Sequence, residues 1–146
     1  MSESIKQIDF NTFSSVCRYR NKFYLLVAGT RTFNDYELLS KKIQQLTIRY
    51  GNNICIVSGG AKGADTLAER YAKEHGLEFV KFTAKWNEYG KKAGFIRNEE
   101  MHDYISKHEH RGCVLFWDGK SKGTKHNIGL SKIYKNQLRI VLYENS

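Results

Sequence analysis

The sequence predicts an α/β protein: a Rossmann-like three-layer fold with a five-stranded parallel sheet. Two patterns predict it. Short apolar runs of β-type residues alternate with segments of helical period, an order that gives right-handed crossovers and a sheet covered on both faces. The first, second and fourth of these runs also end in glycine-rich polar loops, where open α/β sheets bind their ligands.

Phe23 to Ala28 is a nearly continuous apolar run closed by Gly29, the pattern of a strand buried on both faces. Asn34 or Asp35 then caps a helix with Leu39, Ile43, Leu46 and Tyr50 on one face, stopped by Gly51-Asn52-Asn53. Ile54 to Val57 is the second strand, ending in Ser58-Gly-Gly-Ala-Lys-Gly-Ala-Asp65. The next helix carries Leu67, Ala68, Tyr71 and Ala72 and stops at Gly76, before a third strand over Glu78 to Phe82. Thr83 to Gly94 has no clear period. A helix from Phe95 to Lys107 follows, with Met101, Tyr104 and Ile105 as inward candidates. Cys113 to Trp117 is the fourth strand, and Asp118-Gly-Lys-Ser-Lys-Gly-Thr124 its loop. Thr124 caps a helix with Ile128, Leu130, Ile133 and Tyr134, and Leu138 to Tyr143 closes the sheet. Residues 1–22 read as an N-terminal extension, either a short helix with Phe10, Phe13 and Val16 on one stripe or an arm reaching a partner subunit; 23–146 is the domain.

A chain of 146 residues fits this single domain and is long enough for a real core. Its 40% hydrophobic, 13% aromatic and 27% charged content is that of a globular protein. There is no proline, so tight turns fall to Gly, Asn, Asp or Ser. No apolar run approaches the roughly 20 residues that span a bilayer, and Met1 to Phe10 does not resemble a secretory leader. Cys17, Cys55 and Cys113 are odd in number and far apart, as expected of reduced thiols in a cytoplasmic protein. No Cys or His spacing suits zinc, and neither a metal nor a cofactor is expected.

The net charge of +9, from 24 basic and 15 acidic residues, suits an anionic partner. Basic residues are scattered, without the amphipathic helix that would suit a membrane surface. With strand order 3-2-1-4-5, the loops after strands one, two and four converge. They supply Gly29, Thr30 and Arg31; Ser58, Gly59, Gly60, Lys62, Gly63 and Asp65; and Asp118, Gly119, Ser121, Gly123 and Thr124. Glycines let backbone N–H groups approach an anion, and a helix N-terminus behind each loop favours negative charge. Arg97 and Asn98 point to the same strand ends, and Trp86 either stacks on a base or covers the sheet. The dinucleotide fingerprint and the Walker motif are both absent, which sets aside NAD enzymes and P-loop NTPases.

Taken together, Gly29-Thr-Arg31, Ser58 to Asp65, Arg97-Asn98-x-x-Met101 and Asp118-Gly-x-Ser-x-Gly-Thr124 resemble the SLOG superfamily, in particular its small stand-alone YspA-like members of phage and bacterial genomes. The resemblance implies a Rossmann-like domain that binds nucleotides or their derivatives, usually as a homo-oligomer. It also implies two alternatives. Cytokinin-activating phosphoribohydrolases share Arg97, Met101 and Gly123-Thr124, but their catalytic glutamate falls on Asn127, which cannot ionise; Asp65 or Glu69 would have to replace it. No catalytic residue is assigned. DNA-processing protein A carries loops similar to Ser58–Asp65 and Arg97-Asn98 and binds single-stranded DNA. The expectation is a protein that binds an ADP-ribose-like or phosphoribosyl compound, with sensing or sequestering a signalling nucleotide as its use, ahead of N-glycosidic hydrolysis or single-strand binding.

Overall fold

A computed structural model describes residues 21–144. The extension expected over residues 1–22 lies almost wholly outside the described residues, as does Cys17. The elements are β1 (Phe23–Gly29), α1 (Tyr36–Thr47), β2 (Ile54–Ser58), α2 (Ala64–Glu74), β3 (Glu78–Lys81), α3 (Trp86–Tyr89), α4 (Ala93–Ser106), β4 (Arg111–Trp117), α5 (Lys122–Ile133) and β5 (Leu138–Leu142). All strands are parallel, in the order β3-β2-β1-β4-β5. Chain order therefore reverses between β1 and β4.

Alternate residues of the sheet feed two separate cores. Leu25, Val27, Ile54, Ile56, Val114 and Phe116 face α1 and α2, where Leu39, Ile43, Ala64, Ala68 and Ala72 are buried. Leu26, Ala28, Cys55, Val57, Cys113 and Leu115 face α4, meeting Met101 and Ile105. The alternation is the period-two geometry of a strand, and it makes β1, β2 and β4 apolar throughout. Alanines on α2 let that helix lie close to the sheet. Cys55 and Cys113 are buried free thiols whose ionisation burial opposes; Cys55 is pushed up to about 11.

The local chemistry at the helix ends is specific. Asp35 caps α1 by accepting from Leu38 N at 3.0 Å. Ser121, not the expected Thr124, caps α5, and its Oγ accepts from Thr124 N at 3.4 Å. The helix therefore starts three residues earlier than expected, and Thr124 becomes a buried residue of its first turn. The aperiodic stretch before α4 folds as the single turn of α3 followed by a 3-10 turn over Gly90–Lys92. Both elements are too short to display a period, which is why the sequence shows none. Ile133 on α5 is exposed, as are Ile140 and Leu142 on the edge strand β5.

Candidate anion-binding site

Beyond the carboxyl ends of β1, β2 and β4 lies a cavity of about 400 Å³, at the point where strand order reverses. Of the residues expected there, Gly29, Thr30, Arg31, Asp65, Trp86, Arg97, Asn98, Ser121, Gly123 and Thr124 line it. Gly59, Gly60 and Lys62 line an adjoining cavity of about 310 Å³, which shares Arg31, Trp86 and Arg97 with the first. Ser58, Gly63, Asp118 and Gly119 line neither. They shape the loops instead.

The loop from Ser58 to Asp65 is held from within. The Asp65 carboxylate, 4% exposed, accepts from Gly59 N at 3.1 Å and Ala61 N at 3.2 Å through one oxygen. Burial raises its pKa to about 6, against the opposing pull of the Ala61 N–H, the Arg97 charge and the Gly59 N–H. Ser58 Oγ donates to Val27 O at 2.6 Å, fastening the loop to β1. Gly63 sits at φ +85°, and a Cβ there would lie 2.5 Å from Thr30 O and 2.7 Å from Arg31 O. No other residue fits between these loops. Asp65 is thus a loop-organising group before it is anything else.

Arg97, in the first turns of α4, bridges the two cavities. Its Nη1 donates to Gly59 O at 2.8 Å and its Nε to Asn98 Oδ1 at 3.0 Å. A Cβ at position 59 would stand 2.6 Å from the guanidinium, so the missing side chain of Gly59 makes room for the arginine. Burial lowers the Arg97 pKa and the nearby Asp65 carboxylate offsets this. A partly desolvated, orientated guanidinium is well suited to a phosphate or carboxylate.

The third loop is an Asx-type turn. Asp118 Oδ1 accepts from Lys120 N and Ser121 N, each at 2.9 Å, and from Thr30 Oγ1 at 3.3 Å. These donors, the Lys120 and Ser121 amides first, hold its carboxyl below the usual range. In this conformation the loop delivers Ser121, Gly123 and Thr124 to the cavity while Asp118 and Gly119 stay behind them.

Six residues lining the first cavity escaped the sequence reading as ligand contacts: Ala28, Ala61, Lys91, Gly94, Phe95 and Asn127. Lys91, Gly94 and Phe95 lie in or just after the aperiodic segment. Asn127 had a signal: Thr124, Asn127 and Ser131 recur at helical spacing and form a buried polar stripe on α5. Asp65 is the one carboxylate that lines the cavity among the described residues; Glu69 instead pairs with Lys81 at 3.2 Å and Lys73 at 3.5 Å outside it. Trp86 and Phe95, which line the cavity, are 50% and 46% exposed, and Tyr89 on the same short helix as Trp86 is 41% exposed; along the chain they are interleaved with exposed Lys85, Lys91 and Lys92.

A five-stranded parallel sheet with glycine-rich loops gathered at its switch point defines a Rossmann-like protein. Residues 23–89 match the YspA, cpYpsA-related SLOG family, and the chain belongs to that family. It is 32% identical over 107 residues to the Gene 61 protein of Mycobacterium phage D29, a match covering 70% of this chain and 82% of the phage protein. Among solved structures it resembles DNA processing protein A of Streptococcus pneumoniae (TM-score 0.62, 20% identity, 82% of this chain). It also resembles the Helicobacter pylori protein of that name, described for its single-stranded DNA binding mode (TM-score 0.61, 17% identity, 85% of this chain). This chain spans half the length of the Streptococcus chain and 67% of the Helicobacter one. No helix among the described residues is long and apolar enough to cross a membrane.

Proposed function

We propose that this protein binds a phosphorylated nucleoside or nucleotide derivative in the cavity at the ends of β1, β2 and β4. The observation that carries the reading is the bridging position of Arg97, which lies between two adjoining cavities with Arg31 and Trp86 on both. The larger volume falls within the range of small-molecule sites, roughly 300–1,000 Å³. Arg31, Arg97 and Lys91 supply positive charge, Ser121 and Thr124 supply hydroxyls, and Trp86 and Phe95 supply aromatic faces for a base. Binding without cleavage is favoured over N-glycosidic hydrolysis. The single lining carboxylate, Asp65, already holds two backbone amides, and Asn127 has no ionisable group.

A second reading, single-stranded DNA binding, is favoured by the exposed Trp86, Tyr89 and Phe95 among lysines, an arrangement suited to base stacking beside a phosphate track. The Helicobacter pylori DNA processing protein A is described for such binding. Calorimetry with AMP, ADP-ribose, a cyclic dinucleotide and an oligothymidylate, at low and high salt, separates the two. A compact site predicts 1:1 binding of one mononucleotide-type ligand, lost in Arg97→Ala. Oligothymidylate binding that collapses with salt, and silence from every small ligand, would replace the first reading with the second. Chromatography of AMP after long incubation should recover it intact.

A further inference from the structure

Between α4 and α5, under the wall of the cavity, lies a set of buried polar side chains: His102, Asn127 and Asn136, which are 0%, 4% and 5% exposed. Asn127 lines the cavity, yet its Oδ1 is buried without a well-formed hydrogen bond, and so is Nε2 of His102. The two orphaned atoms are complementary, one nitrogen and one amide oxygen, and the neighbouring Asn127 opposes the lowering of the His102 pKa by burial.

The direction of every bond in this chain follows from one end. Arg111 carries only donors. Its Nε donates to Asn136 Oδ1, while Nη1 and Nη2 donate to His108 O at 2.8 Å and Lys135 O at 3.3 Å. With Oδ1 taken, Asn136 turns its Nδ2 towards His102, 3.0 Å from Nδ1 and 3.4 Å from the backbone O. Nδ1 must therefore accept. Burial keeps His102 neutral at ordinary pH, lowering its pKa to about 4, so the one ring proton resides on Nε2. That N–H needs an acceptor, and Asn127 Oδ1 is the buried acceptor without another partner. The remaining amide group of Asn127 is its NH2, the group left to the cavity that Asn127 lines.

We infer that Asn127 is a fixed hydrogen-bond donor in the cavity, orientated by a one-way relay from Arg111 through Asn136 and His102, and that it selects ligands presenting an oxyanion or another acceptor at that wall. The inference rests on the proposed reading of the cavity as a ligand site. Asn127 is the contact and His102 and Asn136 are positioning residues. With Asn127 donating, the α5 side of the cavity carries the Ser121 and Thr124 hydroxyls, an amide NH2 and no carboxylate. A phosphate oxygen can accept from all three groups, whereas a ligand N–H finds an acceptor only in the two hydroxyls and none at Asn127.

The test has a ligand-free part. Nitrogen-15 NMR of the histidines should show His102 neutral at pH 7 with its proton on Nε2; a proton on Nδ1 would overturn the relay. Asn127→Asp keeps the size and the acceptor for His102 but turns a second carboxylate oxygen to the cavity. Calorimetry with AMP and with inorganic phosphate should show at least a tenfold loss of affinity; affinity equal to wild type would overturn the assigned donor. Asn136→Asp reaches the same point from outside the cavity. At pH 8 two acceptor oxygens should move the His102 proton to Nδ1, turn the Asn127 amide over and weaken AMP binding about tenfold; an unmoved proton with unchanged affinity would overturn the positioning role. If wild-type protein binds neither AMP nor phosphate while His102 carries its proton on Nε2, the site reading and the ligand selectivity fall together. If it binds AMP and the proton is on Nδ1, only the relay falls.

Discussion

On one side of the sheet, α1 and α2 bury Leu39, Ile43, Ala64, Ala68 and Ala72. On the other, α4 and α5 bury Asn98, His102, Thr124, Asn127 and Ser131 beside Met101, Ile105 and Leu130. The first layer is held by non-directional apolar contact, which tolerates small shifts. The second depends on hydrogen bonds, whose donors and acceptors must match in direction as well as in place. The cavity is lined by side chains from α4 and α5, by Trp86 of α3 and Lys91 of the turn after it, and by the strand-end loops, with Asp65 as the contribution of α2's first turn. The difference teaches a division of labour: the apolar layer supplies stability, and the polar layer fixes the orientation of groups that face the cavity.

That division can be broken most forcefully from the apolar side. Ile43→Ala should destabilise the fold by about 2–5 kcal/mol, since a fully buried side chain is lost and a cavity is left. Urea denaturation measures this, and AMP affinity of the folded fraction should not change. A large change in affinity would mean that the two layers are coupled.

The next effect is a pH dependence carried by two buried groups of opposite sign. Asp65 has a raised pKa of about 6, so between about pH 4 and 6 the folded state binds the extra proton and stability falls as pH rises. His102 has a lowered pKa of about 4, so from pH 6.5 down to 4 the unfolded state binds the extra proton and stability falls as pH falls. In wild type the two slopes oppose each other. Asp65→Asn removes the first, so that variant should lose roughly 2–3 kcal/mol more than wild type between pH 6.5 and 4. Parallel pH profiles would contradict the assigned protonation states.

Smaller stability effects should come with larger functional ones. Arg97→Ala should cost about 1–2 kcal/mol of stability, through its lost bonds to Gly59 O and Asn98, yet reduce AMP affinity by roughly ten- to a hundredfold. Trp86→Ala, at a residue half exposed, should change stability by less than about 0.5 kcal/mol and weaken binding several-fold. Thermal melts and calorimetry on one sample of each separate the two readouts. Equal losses in both would dissolve the contrast between the layers.

The same contrast explains what was legible in the sequence. Leu39 and Ile43 repeat at helical spacing, and the apolar runs of β1, β2 and β4 lead into glycine-rich loops, so the elements and the three loops could be read directly; the strand order entered only as a condition, and the structure has it. Periodicity reports apolar burial and nothing else. It therefore missed the buried face of α5, where Thr124, Asn127 and Ser131 point inward and Ile133 is left 73% exposed. His102 between Met101 and Asp103 looked like an ordinary helix residue; only its partners Asn136 and Arg111, far along the chain, reveal its place. Within the loops the residue types gave location but not role. Gly63 separates two backbones, Asp118 ties a turn, and Ser121 does the capping expected of Thr124.

The most direct measurement of the central claim is a backbone-amide NMR titration of the wild-type protein with AMP. The account predicts saturable shifts concentrated at Gly29–Arg31, Gly59–Gly63, Arg97–Asn98 and Ser121–Asn127, with the apolar layer of α1 unmoved. Shifts confined to the rim around Trp86 and Tyr89, appearing only with an oligonucleotide, would contradict it.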